Sequence, residues 1–572
     1  MIQVVEASIA DLRAALQEGS TTAVELVDAH LARIDAYDGP GTATALNAVP
    51  IRNPAAREEA AESDARRVAG RVLGPLDGIP YTAKASYLVR GLPATAGSPA
   101  FAGLVAQRDA FVVERLRAGG AICLGLTTMP PMANGGMQRG LHGRAESPYS
   151  PDFLPAPFAS GSSNGSGTAT AASFAAFGLG EETWSSGRGP ASSSGLVACT
   201  PSRGVISVRG GWPLVPTMDV VVPHARSVAD LLEVLDVVVA DDPDPRGDLW
   251  RMQPWVPVPA ASAVRPASYP ALAVRDAAEA GRVLAGVRLG APRMFLGTDP
   301  DAGTAEAPGI GGPTGQRIEP RPSVLRLWEA ARRDLEAAGA VVVDVDLPMV
   351  TRYEGDRPGA PTVATRGLVS PDFLRREVVD LCALAWQQFL VDNGDPRLHD
   401  LGEVDGSRIF PPPPGSLPDR YDGFDDDLAD LPAWLRAHRG QRLLDVPGLA
   451  EGLQGLEETR RIDLEDWMTE LGLDAIVFPA VADVAPADAD TDPASADLAW
   501  RNGVWVANGN LAVRHLGVPT VTVPMGLLDD VGMPVGLTLA GRAYDDAALL
   551  RLAAAFESTR SRRSAPPLTP PL

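Results

Sequence analysis

Lysine is nearly missing from this chain: of 50 basic residues among 572, 49 are arginine and one is Lys84. Cysteine is scarce as well. Cys123, Cys199 and Cys382 show no C-x-x-C spacing, so neither a disulfide framework nor a zinc cage is indicated and a reducing compartment fits; no metal or organic cofactor is expected. Long apolar runs are lacking, since the most apolar stretch, residues 228–240, is broken by Asp230, Glu233 and Asp236, and no membrane partner is expected. The first six residues have neither a basic nor an apolar region of the targeting type, so a cytoplasmic location is expected. Positive charge is in deficit: the net charge of -22 opposes binding to phosphate backbones, so no nucleic-acid partner is expected either.

The lone lysine is informative because Arg and Lys are interchangeable on a solvated surface, while only Lys loses its proton at an accessible cost. Lys84 is therefore a candidate neutral amine, with a chance surface survivor as the alternative at this point.

What is present reads as α/β. Residues 1–70 form a helical layer, opened by capping-box patterns at Ser8-Ile9-Ala10-Asp11 and Thr22-Ala23-Val24-Glu25. Residues 74–240 carry short apolar runs between Gly, Ser and Pro, among them Ala121-Ile122-Cys123-Leu124-Gly125 and Leu196-Val197-Ala198, which fit buried strands. Residues 323–339 return to a helix with Val324, Leu327, Trp328, Ala331, Leu335 and Ala338 on one stripe, followed by a strand at 340–343. Further strands are expected at 475–478, 519–523 and 536–539, and a closing helix at 546–559. Strand material at both ends of the chain predicts a single large α/β domain over 1–572, a central mixed sheet with helices on both faces. Residues 300–322 and 353–432, the latter holding Pro411 to Pro414, read as surface insertions, and residues 561–572 as an irregular tail.

Two serine- and glycine-rich clusters lie 24 residues apart: Ser160-Gly161-Ser162-Ser163-Asn164-Gly165-Ser166-Gly167 and Trp184-Ser185-Ser186-Gly187-Arg188. Residues 168–178 between them have helical periodicity, which sets the first cluster at a helix N-terminus with free N–H groups. Alternatively, its glycines serve only turns and close packing.

With Gly78-Ile79-Pro80-Tyr81-Thr82-Ala83-Lys84 ahead of them, these segments resemble the amidase signature family. That family joins a Gly-Ile-Pro-x-x-x-Lys segment to a Gly-Gly-Ser-Ser-Gly-Gly-Ser loop and a Gly-Thr-Asp-x-Gly-Gly-Ser-x-Arg loop. Flanking text is similar too, as in residues 91–98, 113–121 and 532–537, whereas 240–470 match weakly. The resemblance implies an acyl-enzyme on Ser186 and Lys84 as base acting through Ser162, a serine that the family holds in a cis peptide. It also implies Ser163 orienting the amine and Arg188 bracing the loop against Glu182. Backbone N–H groups of Thr183, Trp184, Ser185 and Ser186 would form the oxyanion hole, and Met132 and Ala133 would line the acyl pocket.

The chain departs from the pattern: Glu181-Glu182 replace the usual Thr-Asp, and Trp184 and Ser185 replace two glycines. Either a β-carbon is tolerated there with φ negative, or Trp184 walls the pocket. Bringing a lysine from its ordinary ~10.4 to neutrality near pH 7 costs about 4 kcal/mol, which burial supplies if no carboxylate is close. Ala85, where relatives often carry an acid, does not oppose it.

The reaction this implies is hydrolysis of a small-molecule carboxylic amide, with a homodimer possible. Alternatives are an esterase or carbamate hydrolase of the same mechanism, an amidotransferase-type member, or a non-catalytic binding relative. Gly161-Ser162-Ser163-Asn164-Gly165 also satisfies a nucleophile-elbow pattern, which would make Ser163 the nucleophile with one of six histidines as base.

Overall fold

A computed structural model describes residues 3–306, 317–421 and 424–572. The apolar runs become eleven strands: β1 (Ile51–Arg52), β2 (Pro80–Lys84), β3 (Ile122–Thr127), β4 (Phe177–Glu182), β5 (Val197–Thr200), β6 (Val220–Ala225), β7 (Arg288–Pro292), β8 (Val341–Val345), β9 (Ala475–Pro479), β10 (Thr520–Leu527) and β11 (Pro534–Ala540). They form one mixed sheet in the order β1-β3-β2-β4-β6-β5-β10-β11-β9-β7-β8. Strands from the two ends of the chain meet where β5 pairs antiparallel with β10. The fold is α/β, with helices packed against this single sheet.

The sheet positions the site through β2, whose residues are all buried and which runs parallel to both β3 and β4. A strand flanked on both sides and covered on both faces has no route to solvent, so Lys84 at its end is sequestered by topology.

Local chemistry sets the flanking elements. Ser8 and Thr22 cap the helices Ile9–Glu18 and Ala23–Tyr37, each in a reciprocal box with Asp11 or Glu25. The first serine-glycine cluster opens a helix at Asn164, four residues earlier than the periodicity places it, and that helix ends at Ala171. The expected helical continuation to 178 fails because Ser173 turns into the left-handed region, at φ 54°, and Phe177 and Gly178 pair with Tyr81 and Thr82 on β2. Gly165 admits no side chain: a Cβ there would lie 2.5 Å from the Thr128 nitrogen and 2.6 Å from its oxygen. The glycine lets the helix start press against the backbone that follows β3.

The stretch 353–432, expected as a surface insertion, contributes to the core. Helices Pro371–Arg376 and Cys382–Asn393 bury Phe373, Cys382, Trp386 and Leu390, and Trp386 packs edge-on against Phe101 and Trp212. The large apolar side chains of these segments gain more from burial than a surface loop would allow. Within the two expected insertions, residues 307–316 and 422–423 lie outside the described residues. Residues 561–572 adopt no helix or strand, yet the Thr569 and Pro570 carbonyls accept hydrogen bonds from Arg33. Among the described residues no helix is long and apolar enough to cross a membrane.

Candidate active site

Lys84 ends β2 with no exposed surface, and its Nζ donates to Ser162 Oγ at 2.6 Å. Ser162 comes from the loop that leads into helix Asn164–Ala171, itself packed against β2 and β4. Ser186 is 3% exposed and lies in the loop between β4 and the short helix Arg188–Ser193. The two loops are tied where the Ser163 N–H donates to the Ser186 carbonyl at 3.4 Å. The Ser186 hydroxyl forms no hydrogen bond to any described residue, whereas the Ser162 hydroxyl holds the amine. No cis peptide occurs among the described residues; the bond before Ser162 is trans, unlike the cis form the resemblance implies.

The surroundings of the amine differ from the expectation in one important respect. Ala85 offers no charge, but Glu181, at the end of β4, brings Oε1 to 2.9 Å from Lys84 Nζ. Burial lowers the Lys84 ammonium below its ordinary value, and Glu181 pulls in the opposite direction. Parallel pairing of β2 with β4 brings these two side chains together; their separation of almost one hundred residues hides the contact from a linear reading. A sequence signal did exist, since Glu181 stands where the family has threonine, in the strand that the motif spacing sets beside the lysine.

Ser163 does not orient the amine. Its Oγ donates to the Glu181 carbonyl at 2.9 Å and accepts from the Glu181 N–H at 3.1 Å, so it fastens the end of β4. Gly180 makes room for this clamp: a Cβ there would lie 2.9 Å from His224 Cε1 and 3.0 Å from Ser163 Oγ. Asp219, which carries no motif signal in the sequence, is buried close by and accepts from the Thr183 hydroxyl at 2.5 Å. Burial, and secondarily the Glu181 charge, push its carboxyl up to about 8.

The loop that carries Ser186 is held by a buried ion pair. Arg188 and Glu182 are both fully inaccessible and in contact, and Glu182 Oε2 also accepts from the Gly187 and Arg188 N–H groups at 2.9 Å each. Arg188 reaches on to the carbonyls of Trp184 and Asn510. Of the expected oxyanion donors, Ser185 is already engaged: its N–H donates to Ser160 Oγ at 3.2 Å. Its hydroxyl donates to the Ser160 carbonyl at 2.7 Å and accepts from the Ala507 N–H at 3.1 Å. A serine at this position is therefore a structural bridge, which competes with any role of its amide toward a ligand. Among the described residues no acceptor takes the Ser186 N–H.

Trp184 is half-buried and faces an aromatic group, with ring centroids 6.1 Å from Tyr421 and 6.4 Å from Trp505. Tyr421 in turn lines a cavity of about 450 Å³ together with Pro131, Phe158, Phe410, Asp419 and the proline run. Its hydroxyl donates to the Ala159 carbonyl at 2.9 Å, at the foot of the Ser160–Ser163 loop. Met132 and Ala133 sit next to Pro131 in a single turn with φ of 57° and 60°, and both are buried. Left-handed backbone at two successive non-glycine residues is strained and is held by contacts such as the Met132 N–H to the Ala96 carbonyl at 2.7 Å.

The model of the amidase family matches residues 25–269 and 436–550. A glutamyl-tRNA(Gln) amidotransferase subunit of Bordetella avium (strain 197N) is 30% identical over 576 residues, covering 98% of this chain and 97% of that one. The corresponding amidotransferase protein of Anaeromyxobacter sp. (strain K) is 29% identical, over 95% of this chain and 94% of its own. Among solved structures, native peptide amidase from Stenotrophomonas maltophilia is 27% identical, with a TM-score of 0.68 and 98% of each chain covered. A 6-aminohexanoate cyclic dimer hydrolase, 21% identical with a TM-score of 0.64, shares the fold. A family match spanning both halves of the sheet, with the lysine and both serines inside it, shows that this chain belongs to the amidase family.

Proposed function

We propose that the protein is an amidase-type hydrolase that cleaves a carboxylic amide C–N bond through an acyl-enzyme on Ser186, with Lys84 as base acting through Ser162. The observation that carries this reading is the 2.6 Å contact of a fully buried lysine amine with a serine hydroxyl. A serine hydroxyl needs a base to attack a carbonyl at neutral pH, and a desolvated amine is one of the few groups in a protein that can serve.

In this mechanism Ser186 Oγ swings toward Ser162 and attacks the carbonyl carbon. Its proton passes to Ser162, whose own proton passes to neutral Lys84. The tetrahedral oxygen is met by backbone N–H groups of the 183–186 loop, foremost that of Ser186. Collapse breaks the C–N bond as the relay returns a proton to the amine, and water releases the acid by the same route. The cavity lined by Tyr421, Phe158 and Phe410 suits an apolar or aromatic portion of a small-molecule substrate. Esters and carbamates present the same carbonyl and belong within this reading, as do a cytoplasmic location and a homodimer.

The near full-length likeness to amidotransferase subunits supports a second reading, in which the chain releases ammonia for a partner protein. A fluorophosphonate probe separates the possibilities. Labelling of Ser186 that disappears in Lys84→Ala supports the acyl-enzyme, and labelling that persists refutes it. Copurification with transferase subunits, together with glutaminase activity confined to that complex, would favour the second reading.

A further inference from the structure

Among the described residues, Glu181 is the carboxylate in ion-pair contact with the Lys84 amine, at 2.9 Å. It is also held with unusual firmness. Both backbone polar groups of Glu181 bond to one hydroxyl, that of Ser163, and the preceding carbonyl, that of Gly180, accepts from the buried Tyr87 hydroxyl at 2.6 Å. The carboxylate is thus delivered to the amine by a fixed strand end, with only 11% of its side chain exposed.

The other ionisable groups around the amine are held by partners of their own, and Asp219 and Glu182 act on it more weakly than Glu181 does. Glu182 is consumed by Arg188 and two backbone N–H groups. Asp219, raised to about 8 by burial, is occupied by the Thr183 hydroxyl and the Leu214 N–H. His224 on β6 is lowered to about 4 by burial and is neutral, held between Ser166 and the Gly187 carbonyl. Burial keeps the Tyr87 phenol and the Cys382 thiol protonated. Arg209, across the neighbouring loop, is paired with Glu114 and Asp242. Glu181, the carboxylate in contact, thus acts most strongly on the amine, with Asp219 and Glu182 adding weaker pulls in the same direction.

We propose that Glu181 is a positioning residue that holds Lys84 as an ammonium aimed at Ser162 and so sets the pH above which Lys84 can accept the Ser162 proton. This rests on the acyl-enzyme reading above and adds a control to it. Before the relay can run, the ammonium must give up one proton, to the Glu181 carboxylate or through it to water, leaving the nitrogen lone pair free. A cavity of about 40 Å³ bounded by Glu181, Asp219, Tyr87 and Trp212 has room for such water. An opposite charge in contact favours the charged amine, whereas burial alone would favour the neutral one. Removing the carboxylate takes away the strongest opposition to burial and makes the base available at lower pH.

The test is the second-order rate of Ser186 labelling by a fluorophosphonate, measured from pH 5 to 10 on the wild type and on Glu181→Gln. Glu181→Thr, which restores the family residue, provides an independent second variant. Both variants should shift the acidic limb down by one unit or more, so that labelling at pH 6 rises about tenfold. Acidic limbs that coincide with that of the wild type, or that move to higher pH, overturn the proposal. If Lys84→Ala abolishes labelling while the Glu181 limbs stay put, only this inference falls; if Lys84→Ala labels normally, the acyl-enzyme reading has failed.

Discussion

Glu182 and Arg188, six residues apart, form a solvent-free ion pair in which one carboxylate grips both the arginine side chain and the backbone at the start of its helix. Ser186 lies between them in the chain, so the pair closes the loop that carries it. Two charges taken from water repay that cost only when both are present and their remaining hydrogen bonds are satisfied.

Removing one partner should therefore be severe. Arg188→Leu strands the Glu182 carboxylate and is expected to lower stability by about 3–5 kcal/mol. Glu182→Gln, which keeps an acceptor for the two N–H groups, should cost less. Denaturant midpoints of the two variants check the order, and a reversal would show that the loop does not depend on the pair.

Restoring the family glycine at Ser185 should harm the protein. The Ser185 hydroxyl joins the Ser160 carbonyl to the Ala507 N–H, and Ser185→Gly leaves a buried donor without its partner. A loss of about 1–3 kcal/mol in denaturant unfolding is expected. An unchanged midpoint would mean that the bridge contributes nothing.

Tyr421→Phe removes the hydroxyl that donates to the Ala159 carbonyl and leaves the ring that faces Trp184. The wall of the cavity should loosen while the relay stays intact. A rise in KM of about three- to tenfold with little change in kcat is the expected split, from the loss of about 1 kcal/mol of hydrogen bonding. A fall in kcat at constant KM would assign Tyr421 to the chemistry instead.

Acid should destabilise the fold through two buried histidines. Burial lowers His30 to about 3 and His224 to about 4, from the ordinary 6.5. Between those values the unfolded chain binds the protons that the folded chain refuses. The stabilisation is fully present above about pH 6.5 and is lost as pH falls through about 4, on the order of 3 kcal/mol for His224. His224→Asn should begin less stable but show a shallower decline between pH 6.5 and 4, read from denaturant midpoints. Parallel declines would show that His224 does not carry the effect.

Much of the architecture was legible because strands and capped helices are written in local patterns. Apolar runs at 475–478 and 519–523 became β9 and β10, and the single lysine, inside the Gly-Ile-Pro segment, marked the end of β2. Ser163, Glu181 and the start of helix Asn164–Ala171 escaped a local reading for a common reason. Each is decided by what a neighbouring strand or loop brings to it, as when Phe177 and Gly178 are drawn into the sheet by β2. The aromatic cluster was invisible in the same way, since Trp184, Tyr421 and Trp505 come from three distant segments.

The amino-acid order by itself determined the scarcity of bases, the serine loops and the strands that carry them, since these follow from residue type and spacing. Only the tertiary structure decided that the amine of Lys84 would meet Glu181 as well as Ser162. Parallel pairing of β2 with β4 sets those side chains side by side in a largely desolvated space, and in such a space one added carboxylate can govern the charge of its neighbour.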